Sequence, residues 1–308
     1  MKRNIILFIV ALVAIDQIGG RCLDYLRNCL YAAHPSADKT FYITHDIDAD
    51  IVIMGSSGAV GSYDARQIAD STGMKVYNAA ISGHFTKYQC CMLRRMLTHH
   101  EPKYILWEIG DIALSDAYAS MDYNEALDIY PYYDTDDYVR KYINNKDEWQ
   151  WLRMQSRLYR HNGKISNYVS LLLNAKEDSL MGFEPLPATG YKHPTLNEDV
   201  GSTEDYNATF SQARYDEILA TIRYCQQKGV KVIVTFAPRF TKANLHETLL
   251  FKKLLQLTKE CDCDFMDFSL TDDFINDNTR YYGDGHINSH GAEEYMKIFI
   301  PRLKEIIE

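Results

Sequence analysis

Short apolar runs recur along this chain, and each is followed by a segment with helical periodicity. Ile51–Met54, preceded by Asp48, Ala49 and Asp50, reads as a strand buried on both faces. It stops at Gly55, Ser56 and Ser57 follow where the chain must turn, and Tyr63–Asp70 is patterned as a helix. Lys75–Asn78 is a second strand, reached through the breaker Gly73; Thr86–His100 is helical until Pro102 ends it. Lys103–Glu108 is a third strand. Further on, Ser211–Lys228 is an amphipathic helix closed by Gly229, with Tyr215, Ile218, Leu219 and Ile222 on one face. Val230–Phe236 is a fourth strand, Lys242–Cys261 a helix and Asp264–Phe268 a fifth strand. The last helix starts near Ser289, with Ala292, Tyr295, Met296, Phe299, Ile300 and Leu303 along one stripe. Five strands alternating with helices predict an α/β fold: a three-layer α/β/α sandwich around a mostly parallel sheet.

The alternation breaks at about 112–205, which reads as a large helical and irregular insertion. Seven tyrosines lie from Tyr118 to Tyr142, interleaved with Asp122, Asp128, Asp134, Asp136 and Asp137. Helix-like stretches follow around Trp149–Leu158 and Tyr168–Leu173, and Glu184–Gly201 reads as loop. Two readings fit the aromatics: a cover over a substrate cleft, with rings suited to stacking on sugars, or the packing of a folded subdomain.

The N-terminus carries Lys2 and Arg3, then eleven apolar residues from Ile5 to Ile15, then Asp16. A basic start and a short apolar run are the parts of an export signal. Eleven residues fall short of the roughly 20 that span a bilayer, and no small-x-small cleavage site follows. Residues 1–20 therefore read as an uncleaved signal-anchor or a signal peptide, a buried core helix being the alternative. Residues 21–47 are a helical or extended connector, and 48–308 the main domain with its insertion. The expected location is outside the cytoplasm: anchored in the inner membrane facing the periplasm, or free in the periplasm if cleaved.

A net charge of −9 argues against a nucleic-acid partner, because such affinity rests on neutralising phosphates. Seven cysteines include the adjacent Cys90 and Cys91, and Cys261 and Cys263 flank Asp262; neither spacing makes a two-pair zinc site. Spacing alone permits Asp284, His286 and His290 to ligate a metal, but no other ligand cluster supports it. No metal or cofactor is expected.

The candidate chemistry lies at strand ends. Ser57 in the turn after the first strand is either a nucleophile or a helix N-cap. Residues 281–291 read Tyr-Tyr-Gly-Asp-Gly-His-Ile-Asn-Ser-His-Gly, placing Asp284 two residues from His286 just ahead of the last helix. A histidine base with a carboxylate to fix its tautomer is what a serine nucleophile requires.

Taken together, these segments resemble the SGNH (GDSL) hydrolase superfamily, in its exported, membrane-anchored bacterial branch. Met54-Gly-Ser-Ser57 is similar to the first motif, with Ser57 at the nucleophile position. Asn78-Ala-Ala-Ile-Ser-Gly83 is similar to the second, whose glycine gives an oxyanion-hole amide; that maps to Gly83. Asp284 and His286 resemble the closing pair. The resemblance implies a flavodoxin-like sheet and a serine esterase, or an acyltransferase, acting on O-acyl esters of a small molecule or of surface carbohydrate. It covers 51–110 and 210–308 and leaves the insertion unexplained. Two positions depart from the pattern. The third motif usually presents an asparagine, where this chain has Asp111 or Ile112; an anionic Asp111 would oppose an oxyanion. The closing Asp usually lies three residues before the His, where this chain has Gly283. A catalytically impaired binding or assembly protein on the same scaffold is thus the alternative. Gly55, Gly58 and Gly61 also resemble a Rossmann phosphate loop, but the acidic or basic ribose contact wanted after the next strand is Tyr77-Asn78. The acyl group, the acceptor and the oligomeric state are not encoded in any motif.

Overall fold

A computed structural model describes residues 2–118, 125–174, 178–189, 210–241, 244–282 and 286–308. The chain forms two compact units: Ile47–Asp122 with Asp178–Glu308, and Met1–Asp46 with Tyr123–Glu177.

The larger unit is built on a parallel sheet of five strands: β1 (Ile51–Met54), β2 (Val76–Asn78), β3 (Tyr104–Glu108), β4 (Lys231–Phe236) and β5 (Asp264–Asp267). Their order is β2-β1-β3-β4-β5, and every pair is parallel. The predicted α/β sandwich with a flavodoxin-like strand order is what forms. All four residues of β1 are buried, as the continuous apolar run requires of a strand covered on both faces. The order reverses between β1 and β3, so the crevice at their carboxyl ends is the place where such sheets bind ligands.

The helices follow the sequence pattern with shifts set by their caps. Asp64 accepts from the Arg66 N–H and starts helix Ala65–Thr72, which Gly73 ends at φ 69°. Helix Leu249–Glu260 starts well after Lys242, because Thr248 is extended and its hydroxyl caps Phe251; Leu245–Glu247 is a separate 3₁₀ turn. The final helix, Ser289–Ile307, buries Ala292, Tyr295, Met296, Phe299 and Leu303 along the stripe the spacing predicts, with Ile300 half-buried. Tyr63 reaches through the core to Thr235 at 2.9 Å and meets Tyr295 edge-on.

In the smaller unit the N-terminal apolar run is only the beginning of a helix of 32 residues, Lys2–Ala33, of which residues 2–15 are exposed. Its second half belongs to a fold. Leu30 and Tyr31 pack with Phe41 and Tyr168, and Arg27 stacks over Tyr132. His161 pairs with Asp24 at 3.2 Å, and Arg157 with Asp24 at 3.0 Å. The tyrosine-rich stretch folds as 3₁₀ turns and helix Asp137–Asn144, burying Tyr130, Tyr132, Tyr133 and Tyr142. These four rings are packing.

A chain shortened to begin at Asp16 keeps all these contacts and should melt at an unchanged temperature. One beginning at Lys39 loses Leu30 and Tyr31, each removal costing on the order of 2–5 kcal/mol. Thermal melts in detergent, followed by circular dichroism, should show the smaller unit unfolded in the second chain and intact in the first.

Candidate active site

Ser57 opens a one-turn helix, Ser57–Val60, directly after β1. The turn is tight. A β-carbon at Gly55 would stand 2.6 Å from the Ala59 Cβ and 3.1 Å from the Glu108 Cβ. Ser56 holds the N-cap position, but its side chain makes no capping bond. It instead lines a pocket of about 20 Å³ with Phe85, Thr86, Gln89, Glu108, Gly110, Ala113 and Arg239. The two serines thus differ in surroundings, and it is Ser57 that meets the histidine.

His286 sits on a small antiparallel hairpin of β6 (Tyr281–Tyr282) and β7 (His286–Ile287), where its register partner is Tyr282. Its Nε2 lies 2.9 Å from the Ser57 Oγ. Asn288, fully buried, fixes the hairpin from below. Its amide donates to the Thr279 and Tyr281 carbonyls at 2.8 and 3.1 Å, while its oxygen caps the last helix at Gly291 N. Gly291 is what lets that helix approach, since a β-carbon there would lie 2.2 Å from the Arg280 carbonyl oxygen.

Asn78, at the end of β2, is fully buried and binds the Ser57 turn to residues 78–83. Its amide donates to the Ala59 and Tyr63 carbonyls, both at 3.0 Å, and its oxygen accepts from Ala80 N at 3.1 Å. Gly83 follows in a turn at φ 75°, a conformation that glycine adopts without strain.

Residues 178–186, which no motif marks, lace the same segments together. Asn78 N donates to the Met181 carbonyl at 2.8 Å, Glu184 N to the Val60 carbonyl at 3.1 Å, and Ser289 N to the Leu186 carbonyl at 2.7 Å. One strand of backbone therefore touches the second motif, the serine helix and the helix that follows the histidine.

A charge pair with a buried carboxylate and a half-buried guanidinium lies under the turn. Glu108 closes β3 and meets Arg239 at 3.5 Å; the guanidinium lies over the Phe236 ring. Gly110 makes room for it, because a β-carbon there would be 2.8 Å from Arg239 Nη2. Burial pushes the Tyr63 hydroxyl far above the usual tyrosine range, and the Glu108 charge adds to the effect. A β-carbon at Gly58 would stand 3.2 Å from a Glu108 carboxylate oxygen. Gly55, Gly58 and Gly61 are thus spent on protein packing, and a diphosphate against Gly58 would face that carboxylate. Glu108 and Arg239 are the site residues that sequence reasoning missed.

Of the remaining sequence-predicted residues, Asp284 lies outside the described residues, and Asp111 opens the 3₁₀ turn Asp111–Leu114 after β3. No group of three His, Cys, Asp or Glu side chains suited to a metal occurs among the described residues.

No protein-family model and no curated protein matches the chain. Solved structures similar to it include a psychrotrophic esterase from Pseudoalteromonas sp. inhibited by monoethylphosphonate, at 12% identity and TM-score 0.42, with 83% of this chain and 98% of that chain covered. A protein of Bacteroides fragilis assigned as an acylhydrolase shares 12% identity at TM-score 0.40, with 82% and 85% covered. An acetyl xylan esterase shares 11% at TM-score 0.41, with 84% and 100% covered. Likeness at this level assigns no residue a role, so the site stands on its own geometry.

Asn78→Ala should destabilise the protein by about 2–3 kcal/mol, because the buried Ala59 and Tyr63 carbonyls and the Ala80 N–H each lose a hydrogen bond. Urea titration checks this, and a loss under about 1 kcal/mol would mean that water replaces the clamp.

Proposed function

We propose that this chain is a serine hydrolase of O-acyl esters, and the observation that carries the reading is the 2.9 Å contact between Ser57 Oγ and His286 Nε2 at the sheet's switch point. Ser57 Oγ attacks the ester carbonyl carbon while His286 Nε2 takes the hydroxyl proton. The amides of Ser57 and Gly83 hold the oxyanion that forms. Collapse of the tetrahedral species breaks the bond to the alcohol, which leaves with the proton from His286. Water, or a second hydroxyl in a transferase, then attacks the acyl-serine with the same base. Asp284 takes the role of orienting the second nitrogen of His286. The resemblance of Met54–Ser57, Asn78–Gly83 and the closing Asp-Gly-His to SGNH motifs supports these roles. It also points to acyl groups on a small molecule or on surface carbohydrate as substrate.

The N-terminal helix is read as a signal-anchor, with the hydrolase unit on the exported, periplasmic side. Its apolar run is exposed throughout, and Lys2 and Arg3 precede it, as on the cytoplasmic side of an anchor.

A fluorophosphonate probe should form an adduct on Ser57, leave Ser57→Ala unlabelled and still label Ser56→Ala. Label on Ser56, or equal labelling of Ser57→Ala, overturns the assignment. No label together with no turnover of an aryl acetate makes the chain a binding protein instead. Asp284→Asn should cut turnover by about 10⁴-fold if the carboxylate sets the tautomer, as in the serine-protease triad. Near-normal turnover would leave a Ser57–His286 dyad. Gly291→Ala displaces the histidine hairpin, and a shift on the order of 1 Å should cost about 100-fold in turnover with little change in substrate binding.

A further inference from the structure

We propose that residues 149–158 form a collar that seats the smaller unit in the lipid headgroup region where the N-terminal helix leaves the bilayer. The proposal rests on reading that helix as a membrane anchor, and adds to it a second contact surface with a defined depth.

The collar is fastened to one level of the helix. Asp16, the first charge after the apolar run, accepts from the Ser156 hydroxyl and from the Arg157 and Leu158 N–H groups, the last two at 3.0 and 3.3 Å. Gln17 donates to the Gln155 carbonyl at 3.2 Å, and Gln155 in turn donates to the Trp151 carbonyl at 2.8 Å. Two glycines bring the backbones together. A β-carbon at Gly19 would lie 3.2 Å from Leu158 Cδ2, and one at Gly20 only 2.2 Å from the Arg157 Cβ. The loop is thus held against residues 16–20, and the carboxylate that would otherwise meet lipid bare is satisfied there.

What projects from this level is apolar. Trp149 is 56% exposed, Trp151 51%, Leu152 49% and Leu158 38%. Two of the chain's three tryptophans therefore stand in solvent beside the end of a lipophilic helix. An indole carries an apolar body and one N–H, which is why tryptophans gather at headgroup level. The anchor also needs help with length. Ile5–Ile15 covers only about 16 Å as a helix, against a hydrocarbon core of roughly 30 Å. A collar that enters the interface continues the apolar surface past Asp16 and sets how far the helix sinks. A further exposed apolar stripe among the described residues of this unit, Ile165, Val169, Leu172 and Leu173, is on a helix packed beside Leu26, Leu30 and Tyr31. That is roughly 15 Å farther along the anchor, beyond the headgroup layer.

The full chain, reconstituted in phosphatidylcholine–phosphatidylglycerol vesicles, separates the two readings. Flotation with the vesicles tests the anchor. Tryptophan emission, with spin labels placed near the headgroup or near the bilayer centre, tests the collar. The headgroup-level label should reduce total emission by about two-fold, the central label much less, since two of three tryptophans lie at the interface. Trp149→Phe/Trp151→Phe leaves Trp107, buried in the sheet, and should abolish the quenching. If the protein floats but wild type and double variant quench alike, the collar is wrong and the anchor stands. If emission is shielded yet unquenched, a protein surface covers the collar and the proposal fails. A chain that does not float removes both readings.

Discussion

A single buried amide does more to hold this molecule together than its size suggests. Asn78 spends both N–H groups on carbonyls of the serine turn and its oxygen on the second motif. Each of those backbone groups belongs to a fully buried residue, so the local geometry of Ser57 follows from an asparagine on a neighbouring strand. The strand end supplies the site's first coordinate. The second comes from Asn288, which ties the histidine hairpin to the last helix in the same way. Two asparagines with no part in bond-making thus fix the separation between the residues proposed to make bonds.

The sheet was legible because β1, β3 and β4 carry short apolar runs, as strands covered on both faces do, and helical patterns alternate with them. Ser57 and His286, the candidates that a 2.9 Å contact brings together, stand where the pattern sets limits, one after a strand and the other ahead of a helix. The pair Glu108 and Arg239 was not, since 131 residues separate them and neither lies in a periodic segment that announces a partner. Residues 178–186 were read partly as loop for a related reason: their contacts are made by backbone, which carries no side-chain signature. The N-terminal helix runs past Asp16 to Ala33 although its apolar pattern ends. Asp16 and Asp24 break the pattern, and both are satisfied by residues more than a hundred positions away.

The two polar devices in the larger unit also divide the labour of the adjacent serines. Ser57 faces a titratable partner, while Ser56 faces a pocket floored by a charge pair. A carboxylate under the turn would disfavour a second negative charge close by, and Arg239 offsets that field. The pair therefore leaves little net charge beneath the turn.

The strip that runs alongside β2 has a consequence for how the chain survives its own synthesis. β2 is an edge strand, and an uncovered edge pairs readily with other chains. Met181 closes it by accepting from Asn78 N, and Gly182 fits there only because it lacks a side chain: a β-carbon would sit 2.0 Å from the Asn78 backbone carbonyl oxygen. Yet this cover is encoded about a hundred residues after the edge it protects. At translation rates of about 5–20 residues per second, β1, β2 and β3 wait for several seconds with that flank open. Nascent chains on neighbouring ribosomes have that interval in which to pair with it, so sticking during production should depend on crowding of unfinished chains rather than on the stability of the finished fold.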